Sequence, residues 1–121
     1  MIYDNNNIFA KIIRAEIPCN KIYEDDFVLS FYDINPQKKI HALVIPKGKY
    51  IDLDDFNTNA SNEEIIGLMK GITTVAKKLG ISSIDGKGYR ALANISDYGG
   101  QEVPHLHFHL FGGEKVGKMV S

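Results

Sequence analysis

At 121 residues, 44% hydrophobic and 24% charged, the chain has the size and make-up of one globular domain, predicted to span residues 1–121. A net charge of -1 with no basic block argues against nucleic-acid binding driven by phosphate neutralisation. The single cysteine, Cys19, forms no internal disulfide and predicts a reducing, cytoplasmic setting; the opening MIYDNNNIF predicts no secretory leader, and no stretch reaches the ~18 apolar residues of a membrane span.

The asparagine-rich start predicts a frayed terminus. Asn7 is placed to cap a short helix over Ile8–Arg14, with Ile8, Ile12 and Ile13 on one side and Pro18 beyond its end. Lys21–Tyr23 and Phe27–Tyr32 predict two strands around a tight Glu24-Asp25-Asp26 turn. Asp33-Ile34-Asn35-Pro36 predicts a turn, and His41–Ile45 a short apolar strand ended by Pro46. Ser61 followed by Glu64 has the form of a capping box. Ile65, Leu68, Met69, Ile72, Val75, Ala76 and Leu79 then recur at helical spacing, and Gly80 is placed to close the helix. Tyr89–Asn94 predicts a further strand and Asp97–Gly100 a turn. Together these predict an α+β fold of about five antiparallel strands, with one long and one short helix packed on one face.

The last predicted strand carries the chemistry. His105, His107 and His109 alternate with Leu106, Phe108 and Leu110, and they are three of the chain's 4 histidines. In a strand, alternate side chains share a face, so the leucines and phenylalanine would pack on the core. The imidazoles would then form an outward-facing row with a spacing of about 7 Å. Three readings are open for such a row. It is a solvated strand face, or a metal site that Asp33 or Glu102 completes, or a site of covalent catalysis at phosphorus. In the third, His107 is the natural attacker because it is flanked on both sides. The Gly99-Gly100-Gln101 turn just before the row suits an anion-binding nest of backbone N–H groups.

The run His105-Leu106-His107-Phe108-His109-Leu110-Phe111 resembles the hallmark of the histidine triad family, His-φ-His-φ-His-φ-φ with φ apolar. Further blocks are similar to its nucleotide-binding phosphoramidase branch: Ile8 to Pro18, Tyr23 to Asp26, Phe31 to Pro36, His41 to Lys47, Gly88 to Arg90, and Gly112-Gly113. The resemblance implies a five-stranded antiparallel α+β unit that pairs as a homodimer into a ten-stranded sheet. It implies cleavage of purine nucleoside phosphoramidates, lysyl-AMP type adducts among them, without a required metal or other cofactor.

By the same resemblance, His107 forms a nucleotidyl-histidine intermediate. His109 contacts the phosphate and leaving group, His105 orients His107, and His41 supports the triad. Asp33 would bind the ribose, and Ile8, Phe9, Ile12, Phe31, Ile34 and Leu43 would form the slot for the base. Asn94, Gly100, Gln101 and Glu102 would sit at the phosphate. Glu102 stands where some relatives carry serine. Pro104 also occurs in the dinucleoside polyphosphate hydrolase branch, so that activity is an alternative. A nucleotide-binding or protein-interaction module with little catalysis is another.

Overall fold

The computed structural model describes residues 2–120. In chain order its elements are α1 (Ile8–Ile13), β1 (Lys21–Glu24), β2 (Val28–Tyr32), β3 (Ile40–Pro46), α2 (Leu53–Asn59), α3 (Asn62–Lys78), β4 (Arg90–Leu92) and β5 (Phe108–Gly112). The strands form one five-stranded sheet in the order β1-β2-β3-β5-β4, and every neighbouring pair is antiparallel.

Alternation along the central strands sorts the side chains into two layers. Val28 of β2, Ala42 and Val44 of β3 and Leu110 of β5 face α2 and α3, where they pack with Phe56, Leu68, Ile72 and Val75. Helix α3 comes very close to β2 here: a Cβ on Gly71 would meet a methyl group of Val28 at 3.0 Å. The intervening residues Leu29, Phe31, Leu43 and Ile45 face the other way and pack against Phe9 of α1. Helices therefore cover both faces rather than the one expected. The reason is local: Phe9 and its half-buried neighbours Ile12 and Ile13 need an apolar partner, and the second face of β2 and β3 supplies it.

The long helix follows its sequence signals. Ser61 accepts from the Glu64 N–H, the Glu64 carboxylate accepts from the Ser61 N–H, and Leu79 ends the helix before Gly80 at φ +73°. Of the predicted apolar stripe, Met69 is the exposed member.

Four local expectations change. Helix α2 was not foreseen, because Leu53 and Phe56 are too few to show a helical period. Its signal lay in polar residues instead: Asp52 caps it by accepting from the Asp55 N–H. The asparagine-rich start is not frayed. Asn7 accepts from the Ala10 N–H and donates to the Asp4 carbonyl, while Arg14 reaches back to the Asn5 carbonyl. The last strand begins at Phe108 rather than His105. Pro104 has no N–H for a ladder, the His105 N–H turns back to the Val103 carbonyl, and the Leu106 N–H goes to the Tyr50 carbonyl. Similarly β4 is shorter than Tyr89–Asn94.

Candidate active site

The four histidines converge on the sheet face that α1 covers. His109 lies in β5 opposite Leu43, and His41 lies in β3 opposite Phe111. His105 and His107 sit in the irregular segment leading into β5. The imidazoles are not the outward-facing row that alternation alone implies. His105 is fully buried and His107 is 7% exposed. The Phe9 ring lies edge-on to His107 at 4.9 Å between centroids, and at 6.3 Å from His105. Alternation holds for the partners, since Leu106 and Leu110 are buried in the core. What changes is that a second layer covers the histidine face.

The partners of each ring fix where its proton sits. A carbonyl oxygen only accepts and a backbone N–H only donates, so such bonds assign tautomers. His105 Nε2 is 2.8 Å from the Pro46 carbonyl and therefore carries the proton. Its Nδ1 accepts from the Tyr3 hydroxyl at 2.6 Å. His107 Nδ1 is 2.8 Å from the His105 carbonyl, so the proton is on Nδ1 and Nε2 presents a free lone pair. The Gln37 N–H donates to His41 Nδ1 at 3.1 Å, which leaves the His41 proton on Nε2. That proton is directed to His109 Nδ1 at 2.9 Å, nearer than Asp33 Oδ2 at 3.5 Å. His109 in turn keeps its proton on Nε2. Two adjacent rings, 5.0 Å apart between centroids, thus offer complementary groups: a bare acceptor on His107 and a donor on His109.

Burial keeps these rings neutral, because it penalises the charged form. It lowers His105 and His109 to about 4, with neighbouring histidines adding to the effect. His107 is lowered by burial too, while the His105 carbonyl, Asp33 and Glu102 pull it back up. His41 is lowered by burial against the pull of Asp33. A neutral imidazole with a fixed lone pair is the nucleophilic form of histidine.

The expected substrate residues divide. Asp33 stands at the rim, with Oδ1 accepting from the Asn35 N–H and Oδ2 turned toward His41. Of the expected base slot, Phe9, Phe31 and Leu43 are core residues and Ile12 packs half-buried against them. Ile8 and Ile34 are exposed, Ile34 to 95%, so only these two present an open apolar surface. Asn94 is half-buried just beyond β4. The anticipated backbone nest is closed: the Gly100 N–H bonds the Asp97 carbonyl and the Gln101 N–H the Ser96 carbonyl. The Gln101 side chain is a staple, donating to the carbonyls of Ile51 and Val103 and accepting from the Ser96 N–H. Glu102, between these tethered residues, is exposed. Sequence reasoning missed Tyr3, the Pro46 carbonyl and the Gln37 N–H. Two are main-chain groups with no sequence signature, and nothing marks Tyr3 apart from other tyrosines.

Asp33, His41 and His109 also bring three donor atoms within 4.8 Å of one another. In the neutral network a proton occupies the His41–His109 contact, so an ion there would have to displace it. A cavity of about 920 Å3 lies elsewhere, bordered by Gly80, Lys87, Arg90, Glu114 and Lys115, and no histidine lines it.

The HIT domain family profile matches residues 14–116. An uncharacterised HIT-like protein of Azospirillum brasilense is 49% identical over 119 residues, covering 98% of this chain and 95% of that one. The purine nucleoside phosphoramidase of Escherichia coli K12 is 43% identical over 114 residues, covering 94% and 92%. Among solved structures, a HIT family hydrolase from Clostridium thermocellum superposes with a TM-score of 0.85 at 39% identity, covering 98% of this chain and 99% of that one.

Proposed function

Since the chain belongs to the HIT domain family, a family that includes hydrolases, we propose that it is a purine nucleoside phosphoramidase with His107 as nucleophile. The observation that carries this reading is the bond from His107 Nδ1–H to the His105 carbonyl, which leaves Nε2 free to attack. The similarity to the Escherichia coli phosphoramidase supports the substrate class.

In the first step, His107 Nε2 bonds to the α-phosphorus as the P–N bond breaks, and the amine departs with a proton taken from solvent. The nucleotidyl-His107 ring is then positively charged. Its Nδ1–H still points at the His105 carbonyl, and Asp33 and Glu102 favour a positive His107, so the surroundings stabilise the charge as it forms. In the second step water attacks phosphorus and gives up a proton to solvent, the P–Nε2 bond breaks to return His107 as the neutral ring with Nδ1 protonated, and the nucleoside monophosphate leaves. His109 Nε2–H donates a hydrogen bond to a phosphate oxygen or the departing nitrogen while keeping its proton, and His41 holds it in that tautomer. These steps use only the chain's own side chains and water. Asp33 Oδ2 is the acceptor for ribose hydroxyls, with Ile8 and Ile34 as the open surface for the base.

A homodimer fits this reading. Strand β4 ends the sheet and its outer edge pairs with no strand among the described residues. An unpaired edge is a template for a second copy, and β4-to-β4 pairing would make a ten-stranded sheet. Among the described residues no helix is long and apolar enough to cross a membrane, and the cytoplasmic setting read from the lone cysteine is part of the proposal.

The test is hydrolysis of adenosine phosphoramidate by purified protein in excess chelator, beside His107→Ala and beside diadenosine polyphosphate as substrate. Phosphoramidate turnover lost in the variant is the expected result. Wild-type turnover of the polyphosphate alone would favour the dinucleoside polyphosphate hydrolase, and turnover of neither would favour a binding module.

A further inference from the structure

The active-site floor includes a group from the first residues of the chain. Tyr3, 102 residues earlier in the chain, places its hydroxyl 2.6 Å from His105 Nδ1. The two rings meet edge to face, 5.7 Å apart at 71°. The segment that carries Tyr3 is fixed by its own bonds. Asn7 holds the Asp4 carbonyl through both its backbone and side-chain N–H groups, and Arg14 holds the Asn5 carbonyl.

His105 is fully buried, and its Nε2 proton is committed to the Pro46 carbonyl. Its Nδ1 is therefore an acceptor in a place where water is excluded, and an acceptor buried without a donor is costly. Tyr3 supplies that donor. Burial pushes the Tyr3 hydroxyl above its ordinary range, so it remains protonated at any working pH. The ring of His105 is thus tethered at both nitrogens. Its main chain is tethered as well, with the N–H on the Val103 carbonyl and the carbonyl on His107 Nδ1.

We propose that Tyr3 is a positioning residue: its hydroxyl fixes the His105 ring, and through the His105 carbonyl it fixes the tautomer and aim of His107. The proposal rests on the reading of His107 as nucleophile. Tyr3 touches no reacting atom. Removing its hydroxyl leaves the aromatic packing in place but frees one end of the His105 ring, so the His107 bond loses its alignment while the nucleoside contacts at Asp33, Ile8 and Ile34 stay as they are.

The test uses the full chain labelled with 15N-histidine, as wild type and as Tyr3→Phe, with ring nitrogen signals and steady-state kinetics measured on the same samples. In the wild type, His105 is expected to show a protonated Nε2 with a hydrogen-bonded Nδ1 acceptor, and His107 a protonated Nδ1. In Tyr3→Phe the His105 Nδ1 signal moves to the free-acceptor position and His107 becomes a mixture of tautomers. There kcat falls about 5- to 20-fold while KM changes less than about twofold, as expected for an effect confined to the chemical step. A wild-type His105 protonated on Nδ1, or a variant with wild-type kcat and an unmoved His107 signal, would overturn the proposal. If Tyr3→Phe does not fold, the wild-type ring signals decide it. If the wild type does not hydrolyse phosphoramidates, the reading of the reaction fails, and the ring signals still decide the Tyr3–His105 contact.

Discussion

His105, His107 and His41 are each held by a main-chain partner that can only donate or only accept, and His41 in turn orients His109. The carbonyls of Pro46 and His105 take protons from His105 and His107, and the Gln37 N–H gives one to His41. Side-chain substitution cannot delete these main-chain groups, but it can misalign the rings that bond to them. His107→Ala should lower kcat/KM at least about 10³-fold, because no other group can take over covalent attack. Nucleotide affinity, measured by calorimetry with a nucleoside monophosphate, should stay within about tenfold. His41→Ala removes the proton that fixes His109 and should lower kcat/KM by about 10- to 100-fold. The acid limb of activity is set by burial. His107 is held below the ordinary histidine value of 6.5, so it remains a nucleophile at pH 6.5. The acid limb of the kcat/KM profile should therefore have its midpoint below pH 6.5. At this scale the sequence revealed the histidines and their alternation. It concealed what holds them, because main-chain partners such as Pro46 and Gln37 lie far away in sequence.

Elements with strong periodicity or a capping pattern were legible, and those shaped by tertiary contacts were not. Helix α3 shows both signals, and the structure carries both. Ser61→Ala removes the acceptor for the Glu64 N–H and should cost about 1 kcal/mol in urea unfolding. Leu68, fully buried between α3 and the sheet, should cost about 2–5 kcal/mol when truncated to alanine. The start of β5 escaped the alternation argument, because Pro104 and the bonds of Val103 and Tyr50 take residues 105–106 out of the ladder. That departure places His105 deep in the interior, where its carbonyl meets His107. Helix α2 escaped for a different reason: a seven-residue helix anchored by Phe56 is too short for a periodic pattern.

For the whole molecule, five antiparallel strands and a long helix follow from the sequence, but the second covering layer does not. A short helix shows an apolar side without showing which sheet face it will find. Enclosing the histidines makes stability depend on pH. Folded His105 and His109 titrate at about 4, against 6.5 for an unperturbed ring, so between these values the unfolded chain binds more protons. Their contribution is complete above pH 6.5 and is lost as pH falls from 6.5 to about 4. For the fully buried His105 it is of order a few kcal/mol. Thermal midpoints should be level from pH 8 to 7 and decline steadily below 6.5. A Tm that rose on acidification would contradict neutral, buried rings. The free edge of β4 predicts a dimer by light scattering, and a proline at Ala91, in the middle of β4, should shift the population toward monomer.

The central claim is covalent attack by His107 Nε2. Mixing the protein with excess adenosine phosphoramidate, quenching within milliseconds at alkaline pH and weighing the intact chain tests it directly. A mass increase of one adenylyl group, mapped to the peptide bearing His107 and absent from His107→Ala, is the predicted result. Turnover without an adduct at any quench time, or an adduct on His109 or His105, would contradict the account.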